Sequence, residues 1–171
     1  MDSKEYLTNK SFCPIPWTGF MYNSDGTVMN CIRSQQAIGN LNNTSLSEIL
    51  DNNNKIKHDM RTRHGGAGCD KCYTLEQDKK SFAIISDRIF YLKELKDVST
   101  NLYDTDNFAL HQTDIRWSNV CNFACIYCSP EYSSKLATEL DVKIQQPPNE
   151  RLLELKNYVF ENVKQLKHVY L

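Results

Sequence analysis

The sequence predicts an α/β chain in two parts. A small cysteine-rich α+β segment, a β-hairpin followed by short helices, comes first, and a strand–helix–helix–strand run follows it. Three observations predict this. The turn signal Asn23-Ser-Asp-Gly26 separates two short apolar stretches. From Leu110 onward, strand-like and helix-like patterns alternate, as in parallel sheets. The seven cysteines also divide as four plus three: Cys13, Cys31, Cys69 and Cys72, then Cys121, Cys125 and Cys128.

Composition sets the bounds. The chain has 171 residues, 40% apolar and 24% charged, which is ordinary globular usage. The net charge of −1, with both signs spread along the chain, leaves no electrostatic footprint for nucleic acid or a membrane surface. No apolar stretch reaches spanning length and Met1 to Lys10 is polar, so a cytoplasmic protein without a signal peptide is expected. In a reducing compartment, grouped cysteines in odd number point to metal rather than to disulfides.

The elements follow in order. Cys13-Pro-Ile-Pro-Trp17 is an extended approach fixed by two prolines. Gly19–Tyr22 and Thr27–Cys31 read as hairpin strands, with Asp25-Gly26 suited to the positive φ of a tight turn. That hairpin brings Cys13 and Cys31 towards one end. Ser45-Leu-Ser-Glu48 is a capping box opening a helix through Leu50. Asn52 to Asn54 interrupts it, and a second helix, about Lys55 to Arg63, is stopped by Gly65-Gly66. Glu76 to Val98 carries Phe82, Ile85, Ile89, Leu92 and Leu95 at three- and four-residue spacing, the stripe of one long helix. Polar Ser99 to Phe108 marks a boundary. Leu110 to Val120 reads as a strand, and Pro130-Glu-Tyr-Ser-Ser134 caps a helix running to about Leu140. Asn149 caps a helix from Glu150 to Lys167 with the stripe Leu152, Leu155, Val159, Val163 and Leu166, and His168 to Leu171 is the next strand. The crossover between these strands should be right-handed.

Chemistry concentrates in Cys121-Asn-Phe-Ala-Cys125-Ile-Tyr-Cys128. Packing does not require three thiols at this spacing, whereas an iron–sulfur cluster takes thiolates in preference to harder ligands. Three thiolates hold three irons of a [4Fe–4S] cube and leave the fourth open. With Asn122 after the first cysteine and Tyr127 before the last, the stretch resembles the signature of radical S-adenosylmethionine (radical SAM) enzymes. The resemblance implies that Cys121, Cys125 and Cys128 ligate a [4Fe–4S] cluster whose open iron binds SAM, with Tyr127 beside the adenine. Reductive cleavage of SAM then gives a 5′-deoxyadenosyl radical that abstracts hydrogen from a substrate. The fold implied from residue 109 to 171 is the start of an incomplete (βα)6 radical SAM barrel, with the cluster loop at the C-terminal end of its first strand.

The other four cysteines carry a resemblance of their own. Cys13, twelve residues, Gly26, four residues, Cys31, and later Cys69-Asp-Lys-Cys72 are similar to the SPASM or shortened "twitch" auxiliary-cluster domain. Ile38-Gly-Asn-Leu41 and Ser45 to Leu50 match it as well. This implies a domain over residues 1–75 in which Cys13, Cys31, Cys69 and Cys72 ligate one auxiliary [4Fe–4S] cluster, joined by a connecting helix and linker, 76–108, to the barrel part. The order departs from the usual one, in which this domain follows the radical SAM core. The rival for these cysteines is a closed four-thiolate zinc site; His58 and His64, nearby, are assigned to neither.

In the family, the second strand runs into a Gly-Gly-Glu-Pro turn that binds the SAM amino group, and the chain as given stops at Leu171. The expectation is therefore a truncated gene product or one piece of a split enzyme, with a partner chain carrying the rest of the barrel. The resemblance further implies SAM, a flavodoxin- or ferredoxin-type reductant, and a substrate that the SPASM association extends to peptides. The alternatives are a non-catalytic iron–sulfur electron carrier or sensor and a zinc-stabilised interaction module.

Overall fold

A computed structural model describes residues 10–34, 36–62, 65–66, 68–77 and 85–170. Their strands form one five-stranded mixed sheet in the order β3-β2-β1-β4-β5. Strands β1 (Gly19–Tyr22), β2 (Thr27–Met29) and β3 (Ala37–Asn40) are antiparallel neighbours. β4 (Gln112–Ile115) lies parallel to β1, and β5 (His168–Tyr170) lies parallel to β4. The sheet therefore runs without interruption from the cysteine-rich segment into the strand–helix–helix–strand segment.

Local chemistry explains most of the elements. At the hairpin turn Gly26 takes φ 91°, Gly26 N–H donates to Asn23 O, and the Asp25 carboxylate accepts from Thr27 N–H at 2.9 Å. β2 ends at Met29, short of the expected Cys31, where its register against β3 shifts. The expected extended approach is instead one helical turn, α1 (Ile15–Thr18), because Pro14 takes helical angles (φ −72°, ψ −19°) and a proline is tolerated in a first turn, where its missing N–H has no partner to lose. α2 (Leu46–Asp51) opens on the expected capping box, Ser45 and Glu48 satisfying each other's backbone N–H. α3 (Asn54–Arg61) follows after Asn52 and Asn53.

The long helix expected over 76–98 is not continuous. α4 is described over Asp70–Gln77, and residues 78–84, which include Phe82, lie outside the described residues. α5 (Asp87–Glu94) begins afresh because Ser86 is extended and its Oγ accepts from Ile89 N–H at 3.1 Å, an N-cap in the middle of the apolar stripe. Ile85 consequently stays exposed, whereas Leu92 and Leu95 are buried.

β4 is also shorter than the stretch Leu110–Val120. Its last ladder bond runs from Arg116 N–H to Tyr22 O, where β1 gives way to the hairpin turn and offers no further partners. A 3-10 turn (Pro130–Tyr132) precedes α6 (Ser134–Glu139), which Ser133 caps through Leu136 N–H. α7 (Asn149–Glu161) has Pro148, not Asn149, at its cap, and it stops before Lys167 because the Asn162 side chain donates to Tyr158 O at 2.8 Å.

The two sheet faces are covered differently. Phe20, Tyr22 and Ile115 point to the face where Leu46, Ile49 and Leu155 pack, so α2 and α7 share one core. A second core joins Phe12, Trp17, Met60, Leu92 and Tyr103, and Cys13, Cys31 and Cys69 pack against it. Phe12, Trp17 and Tyr103 form a triangle of rings with centroids 5.1–5.7 Å apart. Residues 105–107 are tied to this core from α3 and α1. Lys57 Nζ, fully buried, donates to Asp106 O at 2.7 Å, and Trp17 Nε1 donates to Thr105 O at 2.8 Å. No helix among the described residues is long and apolar enough to cross a membrane.

Candidate metal centres

Cys13, Cys31, Cys69 and Cys72 line one pocket, with Ile15, Tyr91, Arg33 and Arg88 in its wall. The fold brings them there from three directions. Cys13 precedes α1, Cys31 follows β2, and Cys69 and Cys72 sit at the start of α4, where Cys72 N–H closes a turn on Cys69 O. Because β1 and β2 are antiparallel, both hairpin cysteines fall at the N-terminal end of β1, as their spacing around the turn implies.

The surroundings suit sulfur that carries charge. Backbone N–H groups point at three of the sulfurs: that of Ile15 at Cys13, those of Arg33 and Ser34 at Cys31, and that of Arg88 at Cys72. Such hydrogen bonds, with the two guanidinium groups in the wall, offset the negative charge of a thiolate-ligated cluster. As free thiols all four are pushed up in pKa by burial, Cys69 to about 12, so loading a metal here releases protons. Among the described residues no three His, Cys, Asp or Glu side chains are grouped closely enough to hold a single metal ion. A cubane is a less demanding fit in this respect, because each thiolate goes to a different iron and the four need not converge on one point.

Residues 13–73 match the SPASM iron–sulfur cluster-binding domain. That domain is typical of radical SAM proteins, and the matched SPASM segment contains all four of these cysteines. No curated protein and no solved structure matches the chain.

Two groups that spacing does not reveal hold the SPASM segment's cysteine pocket together. The Arg88 guanidinium reaches back from α5. Its Nε donates to Glu76 Oε1 at 2.9 Å, its Nη2 to Glu76 Oε2, and its Nη1 to Phe12 O at 2.9 Å. One side chain thus ties α4, which carries Cys72, to the residue beside Cys13. Tyr73 does similar work, its hydroxyl donating to Ser11 O at 2.8 Å and accepting from Gly66 N–H. His58 is exposed, and His64 lies outside the described residues.

Cys121, Cys125 and Cys128 lie on the loop after β4, at the opposite ends of the strands from the SPASM pocket. The four-residue strands between them span about 13 Å. All three are half-buried, and the loop is pinned rather than free. Ser134 Oγ bridges Cys121 N–H and Cys121 O at 3.2 and 3.1 Å, and Lys135 N–H also donates to Cys121 O. Ser133 Oγ donates to Phe123 O, Cys128 N–H closes a turn on Cys125 O, and Ser24 Oγ in the hairpin turn donates to Glu131 O. Tyr127 stands exposed, its hydroxyl hydrogen-bonded to the Cys125 thiol, which raises its pKa. Phe123 and Ile126 are exposed beside it.

Proposed function

We propose that the chain is a radical SAM protein with two iron–sulfur sites. Cys13, Cys31, Cys69 and Cys72 hold an auxiliary [4Fe–4S] cluster, and Cys121, Cys125 and Cys128 hold the cluster that binds SAM. The observation that carries the reading is the convergence of the four SPASM-segment cysteines on one pocket, in a chain that also presents Cys-x3-Cys-x-Tyr-Cys on a loop at the C-terminal end of a parallel strand. When bound, the three-thiolate cluster supplies an electron and an open iron coordination position.

The protein's own residues do the rest by positioning. Ser134 and Lys135 fix the backbone at Cys121, the turn at Cys125 and Cys128 sets the second and third thiols, and exposed Tyr127 offers its ring to the adenine. A reductant of flavodoxin or ferredoxin type would deliver the electron, and the substrate class extends to peptides by the SPASM association. The outer edge of β5 is unpaired among the described residues, and Val169 on that strand is exposed. A chain carrying further barrel strands would pair with that edge.

The test is spectroscopic. Adding SAM to the anaerobically reconstituted, dithionite-reduced protein should change the cluster's EPR spectrum, because new nitrogen and oxygen ligands alter one iron. An unchanged spectrum in protein that holds the iron of both sites would refute the assignment.

A further inference from the structure

The sheet face away from α2 and α7 carries a pocket of about 200 Å³. This is less than the roughly 300–1,000 Å³ that encloses a drug-sized ligand, and it suits one amino-acid-sized group. Its floor is Met21, Asp114 and Tyr170, side by side in register across β1, β4 and β5, with Gln112 two residues before Asp114 on the same face. Arg33, Asp87 and Tyr91 form one wall, and Cys31 is shared with the four-cysteine pocket.

Two polar groups in this pocket are short of partners. Gln112 is 4% exposed and lines the pocket, and its carboxamide makes no hydrogen bond among the described residues. It lies over Gly19, where a Cβ would stand 2.0 Å from its Nε2. Its polar atoms are not among the buried atoms without a partner, so they meet the open space of the pocket and can donate to and accept from a ligand there. Asp114 is the second. Its one charged partner among the described residues is Arg116 at 3.5 Å, which is itself engaged with Asn23 Oδ1 at 3.3 Å and the Tyr132 ring. Arg33 and Asp87, at 2.6 Å, neutralise each other. The charge left facing the pocket is therefore the Asp114 carboxylate, with the hydrogen-bonded Tyr91 and Tyr170 beside it.

We propose that this pocket binds an alkylammonium group carried next to an amide, the chemistry of a lysine side chain within a peptide. Asp114 takes the ammonium, and the tyrosine rings add cation–π attraction. Met21 and Ile32 cover the aliphatic stem, and Gln112 pairs with the adjoining amide. As a substrate site the proposal rests on the function proposed above; as a binding site it does not need the iron.

The probes are N-acetyl-lysine amide and N-acetyl-norleucine amide, the second with a hydrocarbon stem and no charge. Binding to the full reconstituted chain is followed by saturation-transfer NMR, with iron assayed on the same samples. The lysine derivative should bind at least about tenfold more tightly than the norleucine derivative, as a charged hydrogen bond implies. Asp114→Asn should remove that preference without lowering the iron content. Equal binding of the two probes, or an unchanged preference in Asp114→Asn, overturns the proposal. Absence of lysine binding in fully iron-loaded protein overturns it and leaves the iron–sulfur reading standing. Lysine-selective binding by a chain that takes up no iron does the reverse.

Discussion

Arg88→Met tests how the auxiliary pocket is held. The substitution keeps an unbranched stem of similar bulk and removes the guanidinium, leaving Glu76 with Ser86 Oγ among the described residues and taking the Arg88 bond from Phe12 O. Breaking a fully buried pair from one side costs about 3–5 kcal/mol. The Arg88 side chain is 6% exposed but that of Glu76 is 22%, so water relieves part of the stranded charge. About 3 kcal/mol remains. For a chain of this size that corresponds to a Tm lower by about 6–12 °C. Thermal unfolding followed by circular dichroism measures it. The double variant Arg88→Met/Glu76→Leu should recover a substantial part of the loss, because it removes the stranded carboxylate. A Tm within about 1 °C of wild type for Arg88→Met, or no recovery in the double variant, would refute the strut.

Three shorter predictions accompany it. Burial lowers the Lys57 pKa from 10.5 to about 8, so between these values the unfolded chain binds more protons and stability should rise with pH. Denaturant titrations should therefore show wild type gaining on Lys57→Met from about pH 8 to 10.5, by up to about 3 kcal/mol, and a pH-independent difference contradicts this. Ser45→Ala removes the capping box of α2 and should cost about 1 kcal/mol in the same assay, with a change below about 0.3 kcal/mol speaking against the cap. Tyr127→Ala should weaken SAM binding, measured by equilibrium dialysis of the reduced protein, while leaving the iron content unchanged. Loss of iron together with SAM would make Tyr127 a support for the cluster loop instead.

The α/β class, the hairpin and the capping box were legible because each is written within a few neighbouring residues. Asp25 and Gly26 make the turn by themselves, and Ser45 and Glu48 satisfy each other. The long-helix reading failed at Ser86, whose cap interrupts a stripe that hydrophobic periodicity alone carries straight through. β4 was overextended because a strand's length is set by its partner, and β1 ends at Tyr22. The pairing of β1 with β4, which places Thr113 beside Phe20, links residues 93 apart and has no local signature. Spacing also grouped Cys13, Cys31, Cys69 and Cys72, which the fold brings to one pocket. The side chains around them were not legible in this way: Arg88 meets Glu76 across a break between helices, and Gln112 and Asp114 acquire their meaning only once Gly19 and Tyr170 lie beside them.

Iron and acid-labile sulfide counted per chain after anaerobic reconstitution test the two-site account most directly. Wild type should hold about eight of each, and about four should remain both in Cys72→Ala and in Cys125→Ala, because each substitution empties a different cube. A wild-type value near four that Cys13→Ala and Cys72→Ala leave unchanged, or one zinc per chain in place of the auxiliary iron, would contradict the account.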